Sequence, residues 1–122
     1  MTTLDATALA PFLAADPGGP VVMLNLLRFA PDGGAAKYQE YIAQFSSSGV
    51  QERYGVEIVY GGAGSAPLVA PAGQDWDMVA LVRYPSRRHF ADMVNDPDYQ
   101  RFEHLRAEAL VDAVLQPTEQ VM

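Results

Sequence analysis

Cysteine is absent from these 122 residues. That excludes disulfides, cysteine-held zinc, iron–sulfur clusters and a thiolate nucleophile. Positive charge is scarce: seven Arg and one Lys stand against 15 Asp and Glu, giving a net charge of −7. With no basic run to override it, that balance repels phosphate backbones and anionic lipid, and argues against general nucleic-acid or membrane-surface binding. Long apolar runs are missing too, and nothing approaches the ~20 residues that cross a bilayer. The first 27 residues hold no Lys or Arg, and Asp5 and Asp16 interrupt their apolar positions, so no secretory signal is read there. The expectation is a cytoplasmic protein with no nucleic-acid or membrane partner.

What is present is a globular composition, 49% hydrophobic and 19% charged. The length fits one domain over residues 1–122: a helical leader (1–19), a core (20–116) and a short tail (117–122). Gly and Pro cut the chain into pieces of ordinary element length at Pro17–Pro20, Pro31–Gly34, Gly61–Gly64, Pro71–Gly73 and Pro85. Residues 4–15 read as a short helix with Thr7 as N-cap and Pro11 in the first turn. Val21–Phe29 is the clearest strand. A helix over about 35–48 follows, with Tyr38, Tyr41, Ile42 and Phe45 on one stripe. Val56–Tyr60 is a second strand whose closing glycines suggest a bulge or a close backbone approach. Trp76–Tyr84 is a third.

Ser86 caps a helix carrying Phe90, Met93 and Val94. Asp96 caps another, with Pro97 at its first position and Tyr99, Phe102, Leu105, Ala109 and Leu110 on its stripe. Val111–Leu115 is a last, short strand. The order β-α-β-β-α-β is the ferredoxin-like arrangement, an α+β fold with a four-stranded antiparallel sheet.

Alternation along the strands makes both sheet faces apolar. Val21, Met23, Leu27 and Phe29, with Asn25 among them, oppose Val22, Leu24 and Leu26, with Arg28. Trp76, Met78, Ala80, Val82 and Tyr84 oppose Val79 and Leu81. A sheet with one wet face would alternate apolar and polar residues instead. Helices cover one face of such a fold, so the other needs a cover. A second copy, packed sheet to sheet in a homodimer, is the expected one; the leader helix or the 61–74 loop is the alternative.

Pro20–Phe29 (PVVMLNLLRF), Tyr38/Tyr41, Trp76-Asp77, Arg83–Ser86, Met93, Asp96–Tyr99 and Arg106 together resemble one domain-of-unknown-function family of the dimeric α/β-barrel superfamily, over about residues 20–116. The resemblance implies a ferredoxin-like protomer and a dimeric barrel, but no particular reaction. Relatives often carry His directly before the Arg that matches Arg106. Here that position is Leu105, with His104 one place earlier.

Among candidate site residues, Asn25 is a mid-strand amide among apolar neighbours. It either orients a substrate carbonyl or hydroxyl or satisfies a nearby backbone group. Arg106 lies on the apolar stripe of its helix and needs an anion or carbonyl, either Asp77 or a substrate carboxylate or enolate. Asp77, if desolvated, would serve as a general base; otherwise it is solvated or paired. Tyr38, Tyr41, Tyr60 and Tyr99, with Trp76, would line a cavity for a small, partly apolar compound, or sit in the core with hydroxyls at its edge. His104 falls on the opposite, wet helix face. His89, Asp92 and Asp96 have a spacing loosely like metal ligands, but a solvated helix end accounts for them, and no metal is expected. No other cofactor is expected either. No phosphate loop, Gly-x-Ser-x-Gly elbow or Ser-His-Asp set can be drawn.

The reading is a small homodimeric protein that binds or transforms a carbonyl or hydroxyl metabolite between sheet and helices, with Asn25, Asp77 and Arg106 as catalytic candidates. The chemistry would be of cofactor-free oxygenase, isomerase or lyase type. The alternative is a non-catalytic ligand-binding or dimerisation module.

Overall fold

The structure is a computed structural model that describes residues 3–122. The leader opens with a single 3-10 turn, Ala6–Ala8, followed by helix α1, Leu9–Ala14. Asp5, not Thr7, is the cap: its carboxylate accepts from the Thr7 N–H and hydroxyl. Asp at the cap position accepts as readily as Thr, and it lies two residues further out. Pro11 falls in the first turn of α1, where a missing N–H is harmless.

Strand β1 spans Val21–Phe29. Helix α2, Gly34–Ser47, follows a left-handed Gly33. Gly34 is forced by a close approach: a Cβ there would meet the Ala109 carbonyl oxygen at 2.5 Å. A short helix α3, Val50–Arg53, not read from the sequence, leads into strand β2, Glu57–Ala63. Strand β3 is Met78–Tyr84, so Trp76 and Asp77 precede the strand rather than begin it.

Ser86 caps α4, Arg87–Val94, by accepting from the His89 N–H. Asp96 caps α5, Pro97–Gln100. The helix then breaks at Arg101–Phe102 and resumes as α6, Glu103–Ala109. Strand β4 is Leu110–Thr118, longer than expected at both ends. It carries Pro117, which an edge strand tolerates because its outer N–H side needs no partner.

The sheet order is β2-β3-β1-β4, antiparallel throughout, as the ferredoxin-like arrangement requires. Register fixes the faces. Met23↔Val82, Asn25↔Ala80, Leu27↔Met78 and Asn25↔Leu115 share the inner face. Val22↔Arg83, Leu24↔Leu81, Leu26↔Val79 and Leu26↔Val114 share the outer one. The core forms on the inner side, where Leu27, Met93, Val21 and Val50 are fully buried. Tyr41, Phe45, Tyr99 and Phe102 interlock there with ring centroids 5.3–6.2 Å apart, mostly edge to face.

The six α-helices of the described residues pack on this inner side. The leader is held against α4 by Phe12 on Phe90 and by Arg87. That guanidinium donates to the Phe12 carbonyl oxygen, pairs with Glu119 and stacks on the Phe12 ring. The leader therefore does not cover the outer face. The 64–76 loop touches that face through Arg28, which donates to the Gly73 and Asp75 carbonyl oxygens, while its Leu68 and Val69 stand 101% and 95% exposed. No helix among the described residues is long and apolar enough to cross a membrane.

Candidate functional site

Between the inner sheet face and the helices lies a cavity of about 560 Å³, within the range of small-molecule sites. Met23 and Asn25 (β1), Val82 and Tyr84 (β3) and Leu115 (β4) form its floor. Tyr38, Tyr41 and Phe45 from α2, Met93 from α4, Tyr99 from α5 and Arg106 from α6 form its roof and sides.

Asn95, Gln100, Glu103 and His104 line the cavity as exposed groups, while Asn25, Arg106 and four phenols form its inner polar cluster. Asn25 is buried, and its amide is satisfied on both sides. Nδ2 donates to the Met23 carbonyl oxygen at 3.3 Å, and Oδ1 accepts from Arg106 Nη2 at 3.3 Å. Four buried phenols feel the Arg106 charge: Tyr38, Tyr41, Tyr84 and Tyr99. Burial pushes all four phenols above their ordinary ionisation range, against the pull of that cation, so each stays a neutral hydroxyl near pH 7.

The hydroxyls of Tyr41 and Tyr99 share a hydrogen bond of 3.0 Å. Those of Tyr38 and Tyr84, residues only 4% and 5% exposed, bond to no described residue. Arg87 Nε is the one sealed side-chain nitrogen or oxygen without a partner among the described residues. The two lone phenols are therefore not sealed; their oxygens open onto the cavity they line.

Of the residues picked from the sequence, Asn25, Arg106, Tyr38, Tyr41 and Tyr99 meet in this cavity. Asp77, Trp76 and Tyr60 do not. The Asp77 carboxylate accepts from the Phe29 N–H at 2.8 Å, at the far end of β1 from the cavity floor. Arg106 reaches Asn25 rather than Asp77. Trp76 lies under the Arg28 guanidinium, 4.8 Å from its ring centroid. Tyr60 is turned out, 55% exposed, because the register of β2 shifts between Ile58 and Tyr60. That bulge interrupts the alternation that would have aimed Tyr60 inward with Val56 and Ile58. Its ring occupies the space where Gly62 lacks a Cβ, and Gly64 lies against the Trp76 carbonyl, so the glycines answer to close approach.

Several lining residues stand outside the set picked from the sequence, Tyr84 and His104 among them. Tyr84 shares the inner parity of Met78, Ala80 and Val82, which was the available signal. His104 is exposed, as its place on the wet helix face predicts, and also borders the cavity rim. No group of three His, Asp or Glu suited to a metal occurs among the described residues. His89 bonds the Ser86 hydroxyl, and Asp96 binds Arg53 and Tyr54.

No protein-family profile and no curated protein matches the chain. Solved structures do. A protein of unknown function from Rhodopseudomonas palustris is 32% identical, with a TM-score of 0.87 and coverage of 99% of this chain and 97% of that one. A dimeric ferredoxin-like protein of unknown function from Thermobifida fusca is 17% identical, with a TM-score of 0.56 over 85% of this chain and 93% of that one. A hydroxynitrile lyase from Passiflora edulis is 15% identical, with a TM-score of 0.63 over 84% and 94%.

Proposed function

This chain belongs to the family of the Rhodopseudomonas palustris protein of unknown function, and from that premise we propose that it binds a small, mostly apolar carbonyl or hydroxyl compound in the cavity between sheet and helices. The observation that carries the reading is the Asn25–Arg106 pair set into a mostly apolar and aromatic wall. A fixed cation in such a wall polarises a carbonyl and stabilises an enolate formed from it, the electrostatic part of proton-transfer chemistry. The likeness to a hydroxynitrile lyase says that an enzyme is built on this frame, and nothing about this chain's substrate.

One observation favours a binding module over a catalyst. The carboxylate and the imidazole that line the cavity, Glu103 and His104, both stand exposed at its rim, so no described side chain of either kind faces a ligand from inside the chamber. Two measurements decide. A thermal-shift screen over small aromatic and keto acids is expected to raise the melting midpoint. Ligand at a hundred times its Kd stabilises by about 2.7 kcal/mol. For a 122-residue chain that is about 10 °C. No shift from any compound overturns the reading. Proton–deuterium exchange at the α-carbon of a bound keto acid, followed by NMR, separates catalyst from binder.

The outer sheet face supports a homodimer. Val22, Leu24, Leu26, Val79, Leu81 and Val114 form an apolar surface that no helix covers. Arg28 extends from the same face and donates to the Gly73 and Asp75 carbonyl oxygens, so the 64–76 loop returns on that side. Its exposed Leu68 and Val69 would then meet a partner's flank. Sedimentation at micromolar concentration is expected to give twice the chain mass; a monomer overturns the assembly.

A further inference from the structure

Two of the cavity's buried hydroxyls bond to no described residue. Arg106 brings a permanent cation, and the Tyr38 and Tyr84 hydroxyls each have an O–H with no described partner. Asn25 spends its acceptor on Arg106 and its amide on the Met23 carbonyl. The lining carboxylate, Glu103, stands exposed at the rim. Two buried phenol donors without a described acceptor thus stand beside a cation. A buried donor without an acceptor is costly, and the cost is removed by a ligand atom that accepts.

Resting on the binding function proposed above, we infer that the ligand enters with a monoanionic, acceptor-only oxygen head, a carboxylate or the vinylogous equivalent in an enolised dicarbonyl. Tyr38 and Tyr84 donate to that head beside Arg106. The aromatic and aliphatic walls, among them Phe45, Val82 and Met93, take an apolar body. An alcohol would accept from one of these donors while bringing a proton of its own. An amine would bring a cation against Arg106. Polyanions are disfavoured by the net charge of −7 on the chain as a whole.

The two unbonded phenols do for a ligand what they do not do for the protein. This separates their role from that of Tyr41 and Tyr99, whose hydroxyls satisfy each other.

The test is calorimetry on the full chain with three probes sharing one apolar body: 3-phenylpropanoate, 3-phenylpropanol and 3-phenylpropylamine. The propanoate is expected to bind at least about tenfold tighter than the alcohol, and the amine weakest, since hydrogen bonds to a charged head are worth more than those to a neutral one. Tyr38→Phe and Tyr84→Phe should each weaken the propanoate about tenfold while the melting midpoint of the unliganded protein holds. Equal or tighter binding of the alcohol, or phenylalanine variants that bind the propanoate unchanged, overturns the anionic head and leaves the cavity as a binding site. Binding of none of the three overturns both.

Discussion

Removing one hydroxyl from Tyr41 and one from Tyr84 should give opposite results, although both residues are buried tyrosines at the same cavity. Tyr41 shares its hydroxyl with Tyr99 across 3.0 Å. Tyr41→Phe loses that bond and strands the Tyr99 oxygen, which costs about 1 kcal/mol. Unfolding entropy of about 2.1 cal/mol/K per residue makes that about 4 °C in the melting midpoint for 122 residues. Tyr84 keeps its ring against Phe90, edge to face at 5.1 Å, whether or not it carries oxygen. Its hydroxyl bonds no described residue, so Tyr84→Phe should change stability by less than about 0.5 kcal/mol, or raise it slightly by removing a poorly satisfied polar group. Differential scanning calorimetry on the unliganded variants at pH 7 reads both. A Tyr84→Phe loss as large as that of Tyr41→Phe would refute the reasoning, because the hydroxyl would then be holding the protein together rather than waiting for a ligand.

Leu81→Asp places a carboxylate in the middle of the outer face, opposite Leu24, and should convert the dimer to monomer in sedimentation while circular dichroism stays unchanged. Arg87→Ala removes the bond to the Phe12 carbonyl, the Glu119 pair and the stack on Phe12. It should cost about 2 kcal/mol, and limited proteolysis should cut the leader first. The Asp96 carboxyl is held down to about 2 from 3.8, first by the Tyr54 hydroxyl, then by the Asp98 N–H and Arg53. Its folded value lies below its unfolded one, so its stabilisation is complete above about pH 4 and is lost as pH falls toward 2. Asp96→Asn should flatten that acid limb of the stability curve.

The strands were legible where punctuation and apolar content agreed. Pro20 and Pro31 bracket β1, and Asp96-Pro97 starts α5 where a cap and a proline should. Asn25 and Arg106 were legible as polar residues on apolar faces, and they do meet. Tyr60 escaped through a local break in periodicity: the bulge after Ile58 turned it out. Asp77 escaped for another reason: a strand-flanking carboxylate serves the nearest unpaired backbone donor, here the Phe29 N–H, and that partner is 48 residues away in sequence. Tyr84 carried an inward parity, yet only the packing reveals that its hydroxyl has no partner.

Soaking 3-phenylpropanoate into crystals and locating its carboxylate bears most directly on what the protein is for. The account requires both carboxylate oxygens inside the chamber over Asn25, within hydrogen-bonding distance of Arg106, Tyr38 and Tyr84, with the ring toward Val82 and Met93. A carboxylate turned to the solvent rim, or a ligand bound only on the outer sheet face, would contradict it.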